Sequence, residues 1–227
     1  MTTAFAAALL LLLTAIPAHA FSLKDNVQFW TPTFVNAPAQ GRLVGLLEIQ
    51  PRVRGDFDKL GTFIVRPSVG WRIAPETFVH VGYGWIRADA TRVTVEHRTW
   101  QQFQRTESPI QGLNLTVRAR LEQRMLEDVA QLAWRARMLL RAEKSMGGGS
   151  RYVVVYDEGF VHLNSAAGGP KAGFDQNRVF LGIGTDTPVA KLELGYQHVW
   201  LKRYGVADTH VHSLVLNAFL WPLGRGG

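Results

Sequence analysis

Between Leu113 and Glu143 the chain alternates apolar and polar residues twice over, and this restricts the fold more than any other feature. Leu113, Leu115, Val117, Ala119 and Leu121 are interleaved with Asn114, Thr116, Arg118, Arg120, Glu122 and Arg124. Further on, at the opposite parity, Trp134, Ala136, Met138, Leu140 and Ala142 alternate with Arg135, Arg137, Leu139, Arg141 and Glu143. Successive strand side chains point to opposite faces, so a period of two describes a strand with one apolar and one polar face. A helical hairpin competes, because Leu, Ala, Arg, Glu, Gln and Met all favour helices. As helices, however, the two runs would have their apolar stripes cut by arginines at 118, 120, 124, 135, 137 and 141. As strands they gather all six on one face.

The same period runs through most of the chain. Val27–Asn36 opens as a strand with Trp30 and Phe34 near its ends, and Leu43–Arg54 follows after the Ala37–Gly41 turn. In Thr62–Ile73, Phe63, Val65, Pro67, Val69, Trp71 and Ile73 oppose Ile64, Arg66, Ser68, Gly70 and Arg72. Pro67 is a local objection, since it cannot donate to a sheet ladder and favours edges and bulges. In Phe78–Arg87, Val79, Val81, Tyr83 and Trp85 oppose His80, Gly82, Gly84 and Ile86. Glu96–Gln104 is the most polar candidate. Tyr152–Leu163 is β-prone, with Asp157 and Glu158 pointing to opposite sides. Arg178–Thr185, Lys191–Gln197 and His210–Trp221 complete the set, the last with Phe219 and Trp221 near its end. Eleven regularly spaced strands with turn signals between them and no helix predict a sandwich or a barrel.

The compartment narrows this choice. Met1–Ala20 contains an apolar run from Ala4 to Leu13 and ends in Ala18-His19-Ala20, the pattern of a cleavable export signal, although no Lys or Arg precedes the run. An uncleaved anchor is the competing reading, but the run is short for a bilayer. With no cysteine in the chain, an exported fold must close through hydrogen bonding and packing. The net charge of +7 suits an anionic partner, and export makes that partner lipid or an anionic solute rather than nucleic acid. No later stretch is apolar enough for a spanning helix, so a membrane protein of this sequence must be a barrel.

Trp, Tyr and Phe toward the strand ends and charge on the opposite faces favour a membrane barrel with a polar lumen. A soluble periplasmic barrel, apolar inside and binding an acidic lipid or apolar ligand, would show the same alternation. Arginine on the polar faces, where a soluble surface mixes Lys with Glu, tips the reading toward the membrane. The expectation is a single antiparallel up-and-down transmembrane barrel of about 10–12 strands in the outer membrane, inserted by barrel-assembly machinery. Its lipid face would be Phe63, Val65, Val69, Trp71, Val79, Val81, Tyr83 and Trp85. Its lumen would hold Glu48, Arg52, Arg54, Arg66, Arg72, Glu96, Arg98, Arg118, Arg120, Glu122, Arg124, Arg135, Arg137, Arg141 and Glu143. With arginines outnumbering glutamates there, the lumen is either a wet, anion-attracting channel or a bracing ion-pair network. An odd strand count also conflicts with the even number usual in such barrels, so Val27–Asn36 is either a plug or partial strand, or one strand boundary is misplaced.

Glu96-x-Arg98-x-Trp100-Gln101-Gln102, followed by Arg118-x-Arg120-Leu121-Glu122-Gln123-Arg124, resembles the domain-of-unknown-function 2490 family of exported bacterial proteins. Tyr156-Asp157-Glu158 and Leu194-Gly195-Tyr196 are similar to the same family. The resemblance implies an outer-membrane β-barrel and carries no established activity.

Reactive motifs are sparse, and neither catalysis nor a cofactor is expected. His210-x-His212 offers two metal ligands without a third nearby in sequence. His97, His162 and Ser213 invite comparison with a lipase, but nothing in their spacing tests that geometry. Gly147-Gly148-Gly149 lacks the Lys and helix of a phosphate loop and reads as a linker.

Overall fold

The computed structural model describes residues 27–38, 41–54, 59–89 and 92–221. The export-signal reading of Met1–Ala20 and the middle of the Ala37–Gly41 turn lie outside these residues. All regular structure described is β: β1 (Val27–Trp30), β2 (Thr33–Pro38), β3 (Leu43–Arg54), β4 (Lys59–Ala74), β5 (Thr77–Asp89), β6 (Val93–Ile110), β7 (Leu113–Leu126), β8 (Ala133–Ser145), β9 (Arg151–His162), β10 (Gly173–Asp186), β11 (Ala190–Leu201) and β12 (Thr209–Leu220). From β2 to β12 each strand pairs antiparallel with the next, and β1 and β2 both lie between β12 and β3, which closes the barrel.

β1 and β2 are two halves of one stave, interrupted at Thr31-Pro32. Pro32 has no N–H to give the ladder. Continuity is kept by Thr31 N donating to the Pro51 carbonyl at 3.2 Å and by Ala218 N donating to the Pro32 carbonyl at 2.9 Å. Twelve segments therefore make eleven staves. In an odd meander the first and last strands run the same way, so the closing pair must be parallel. It is parallel throughout, from Val27 opposite His212 to Leu220 opposite Val35. The conflict over parity disappears. Val27–Asn36 is neither a plug nor a miscounted strand, but a full wall element, and uniformly antiparallel pairing gives way at this one seam.

Pro67 sits inside β4 rather than at an edge. The β4–β5 ladder steps from Val65 opposite Trp85 to Ser68 opposite Gly82, leaving Arg66 and Pro67 out of the pairing without a change of register. The missing donor is tolerated as a local gap.

The two rims differ. At one, tight connections such as 75–76, 111–112 and 187–189 join the strands; at the other, 127–132, 163–172 and 202–208 are longer. Gly112, at φ 72°, supplies the positive φ that the tight β6–β7 turn requires.

Inside the wall, several glycines stand opposite large rings: Gly82 opposite Trp100, Gly184 opposite Tyr152, Gly70 opposite His80. A Cβ on Gly82 would meet the Trp100 indole and lie 2.9 Å from the Pro67 carbonyl oxygen. Trp100 is 2% exposed and has nowhere to retreat. Gly82→Val should therefore cost about 1–3 kcal/mol by overpacking. Urea unfolding of the refolded barrel measures it, and an unchanged midpoint would refute this packing account.

Candidate functional site

The alternation sorts the strands into two walls. On β7, Arg118, Arg120, Glu122 and Arg124 point inward; on β8, Arg135, Arg137, Arg141 and Glu143 do so. Antiparallel register sets Arg120 opposite Arg137 and Glu122 opposite Arg135, so only one pair of arginines faces directly across these two strands.

Glu122 is the hub. It is fully buried, its Oε2 accepts from Arg135 Nε and Nη2 at 2.9 and 2.6 Å, and its Oε1 accepts from Arg137 Nη1 at 2.6 Å. Arg98 and Arg120 stand at 3.8 and 3.9 Å. Arg137 continues to Glu158, donating at 2.7 and 3.0 Å, and Arg118 reaches the same carboxylate at 2.8 Å. Arg135 turns its remaining nitrogen to Asp175 at 2.8 Å. Buried charge survives only when paired and hydrogen-bonded, and this chain of shared carboxylates achieves it across four strands.

Three smaller groups flank the hub. Glu96 takes both Arg98 and Arg124, the closest contacts being 2.5 and 2.6 Å. Glu48 takes Arg66 at 2.5 Å. Arg141 bridges Glu143 and the fully buried Glu193, while Lys191 reaches Glu143 at 2.5 Å and Tyr152 donates to Glu193 at 2.8 Å.

Aromatic rings pack against several of the lumen cations, including Arg52 and Arg178, for which no carboxylate partner is seen among the described residues. Arg52 lies 3.7 Å over the Trp30 ring and Arg178 lies 5.3 Å from it. Arg178 and Arg137 flank Phe160 at 4.6 and 4.5 Å, and Arg120 covers Trp100 at 4.1 Å. Guanidinium groups are weakly hydrated and stack on such faces, which makes the packing tolerable. Of the other lumen candidates, Arg54 donates at one rim to the Asp89 carbonyl, and Arg72 is exposed at the other, 5.7 Å from Phe78.

A cavity of about 620 Å³ opens at the tight-turn rim, where Gly41, Glu76 and Trp221 line it. It descends past Phe34, Phe78 and Phe219 to Arg66, Arg120, Arg137, Glu158 and Arg178. Toward the long-loop rim, Ile64, Ile86, Phe160 and Val211 are all buried, Val211 in a cluster with Trp30, Phe180, Val199 and Val215.

Phe63, Val65, Val69, Trp71, Val79, Val81, Tyr83 and Trp85 alternate onto the outer wall, with Val69 57% and Val81 60% exposed. Outward aromatics cluster toward the long-loop rim, where Trp200 Nε1 donates to Asp208 at 3.0 Å and Phe174 packs on Trp200. Trp30, Phe34 and Phe219, by contrast, turn into the lumen, where Phe34 stacks on Phe219 at 4.7 Å. His210, His212 and His198 stack together beside Tyr196 on the outer side of β11 and β12. His97 is also on the outer side, against Tyr83, whereas His162 and Ser213 are buried within, so the three lipase-like residues are not brought together.

Sequence reasoning missed Glu158, Asp175, Glu193, Arg178 and Lys191 as members of the network. Glu158 had a usable signal: Tyr152, Tyr156, Phe160 and His162 share its parity, while Val153, Val155 and Val161 share that of Asp157. Asp175 had none, because a register shift between Phe174 and Gln176 turns it inward.

A closed barrel with an ion-paired interior is the class that this geometry defines. The chain belongs to the family described as protein of unknown function DUF2490, whose model matches residues 27–209. It is similar to an uncharacterized protein of Methylorubrum extorquens, 30% identical over 223 residues that cover 94% of this chain and 95% of the relative. No solved structure matches it.

Proposed function

We propose that this protein is an integral outer-membrane barrel whose lumen is closed by an ion-pair network, so that it acts as a braced, non-conducting barrel with a vestibule on one side. The observation that carries this reading is the inside-out distribution of polarity. The charged groups are interlocked within, while Val69, Val81, Met138, Leu181, Ile183, Leu194 and Leu214 are 48–60% exposed around the outer wall. A soluble barrel would leave that apolar surface in water, where patches of such size are rare on monomers. A soluble barrel with an apolar ligand interior is further disfavoured by Glu122, Arg135 and Arg137 at the centre.

The polar side chains of the outer wall fit a lipid surround. Gln101 and Gln123 exchange hydrogen bonds at 2.9 and 3.2 Å, Thr99 joins them at 2.9 Å, and Asn177 donates to Asp157 at 2.9 Å. Polar groups in hydrocarbon must find partners within the protein, and these do. The tight connections would face the periplasm and the longer loops the exterior, the arrangement usual in outer-membrane barrels. Barrel-assembly machinery would insert it, and lipid would be its main partner.

Fractionation and conductance test the reading together. The protein should pellet with outer membranes, resist carbonate extraction and need detergent for release. Purified and reconstituted in a planar bilayer, it should show no steady current. Release by carbonate would overturn the membrane assignment, and a stable anion-selective conductance would restore the channel reading.

A further inference from the structure

The vestibule combines a cationic floor with an aromatic wall. Arg66, Arg118, Arg120, Arg137 and Arg178 line the floor with only Glu48 and Glu158 among them. Each carboxylate is engaged through its Oε1, Glu48 by Arg66 at 2.5 Å and Glu158 by Arg118 and Arg137 at 2.8 and 2.7 Å. Arg120 donates from its Nε and Nη2 to the Gln102 amide oxygen at 2.9 and 2.6 Å. With the Gln176 amide turned so that its oxygen faces the guanidinium, Arg178 donates to it at 2.8 and 3.3 Å. Neutral amides thus take the direct hydrogen bonds of these two cations, with Glu122 standing off from Arg120 at 3.9 Å. Within the lining itself, Arg66 Nε and Gln197 Nε2 are buried without an acceptor. Five arginines against two glutamates leave the floor with an excess of positive charge, which favours an anion.

Above the floor the lining changes character. Phe34 and Phe219, stacked at 4.7 Å, face the same space as Leu46, Phe78 and Leu139. Nearer the mouth, Arg72, Arg141 and Lys191 stand with Glu76 and Glu143. The volume of about 620 Å³ lies within the range of small-molecule sites, well above what a bare inorganic ion needs.

We propose that the vestibule binds a small organic anion, its carboxylate or phosphate group seated on the guanidinium floor at Arg120 and Arg178 and its apolar body against Phe34 and Phe219. The planar forks of arginine match both oxyanions. The ligand enters at the tight-turn rim. This deepens the closed-lumen reading and rests on it, because the closed lumen is what makes the vestibule a blind pocket with a floor.

Calorimetric titration of the full chain in detergent tests the site with phenyl phosphate, benzoate, inorganic phosphate and benzyl alcohol. Phenyl phosphate and benzoate should bind saturably, with inorganic phosphate and neutral benzyl alcohol much weaker. Arg178→Gln should weaken phenyl phosphate binding about tenfold or more, the scale of a lost charge-assisted hydrogen bond. Arg105→Gln, at an exposed rim pair, should leave it unchanged. The wild-type comparison decides the matter even if Arg178→Gln fails to fold. Absence of saturable binding, equal binding of benzyl alcohol, or equal binding of inorganic phosphate would each overturn the proposal. Extraction of the purified protein separates the two sources of such an anion. Stoichiometric anionic lipid displaced by phenyl phosphate would identify a lipid head group, and a lipid-free extract with intact binding would identify a free solute. Conductance is read separately, so failure of the closed lumen is distinguishable from failure of the site.

Discussion

Glu122→Ala should destabilise the barrel by about 3–5 kcal/mol, the cost of removing one partner from a buried ion pair. The carboxylate is fully buried and is the acceptor for three guanidinium hydrogen bonds, two from Arg135 and one from Arg137. Without it Arg135 keeps only Asp175 and Arg137 only Glu158, while Arg98 and Arg120 lose the nearby charge that offsets the repulsion each feels from Arg137. Glu122→Gln keeps the shape and one acceptor oxygen, so its loss should be smaller but of the same sign. Glu107→Ala is the contrast: its pair with Arg105 is more than half exposed and should contribute less than about 1 kcal/mol. Urea unfolding of the three variants in lipid vesicles, followed by tryptophan fluorescence, gives the ranking. If Glu122→Ala unfolds at the same urea concentration as Glu107→Ala, the hub does not brace the barrel.

The strands were legible because the wall requires a period of two, and the sequence keeps it nearly everywhere. The odd count was legible as well. Its consequence, a parallel seam between the β1–β2 stave and β12, follows from topology rather than from any residue, which explains why it looked like an error. The site was less legible. Alternation separates Arg120 from Ala119, but it does not say which carboxylate an arginine meets. Arg141 reaches Glu193 from β8 to β11, and Arg118 reaches Glu158 from β7 to β9, contacts set by barrel curvature. Hydropathy misled in one place. Trp30, Phe34 and Phe219 look like girdle residues, yet they turn inward, where Trp30 packs against Arg52 and Arg178 and the two Phe rings line the vestibule. An apolar residue on the inner wall is invisible to a rule that equates apolar with outward.

Val69→Arg should impair assembly by about 2–4 kcal/mol if the outer wall meets lipid near the bilayer midplane. Val69 is 57% exposed, with Gly45 and Val81 as its register partners on either side. No carboxylate on this part of the described outer wall faces it: the nearby outward residues are Leu47, Trp71, Val79 and Tyr83. An arginine there has no partner within the wall and must drag water with it or reach for the rim. In a water-soluble barrel the same change would replace an exposed valine with a solvated charge and would cost almost nothing. Arg72→Ala supplies the control from the same strand, since Arg72 is exposed at the rim and loses only a loose contact with Phe78. The measurement is the yield of folded barrel in lipid vesicles, read by the mobility difference between heated and unheated samples. A sharp loss for Val69→Arg with near-normal yield for Arg72→Ala supports a lipid-facing wall. Equal yields would return the outer wall to water and sink the membrane reading.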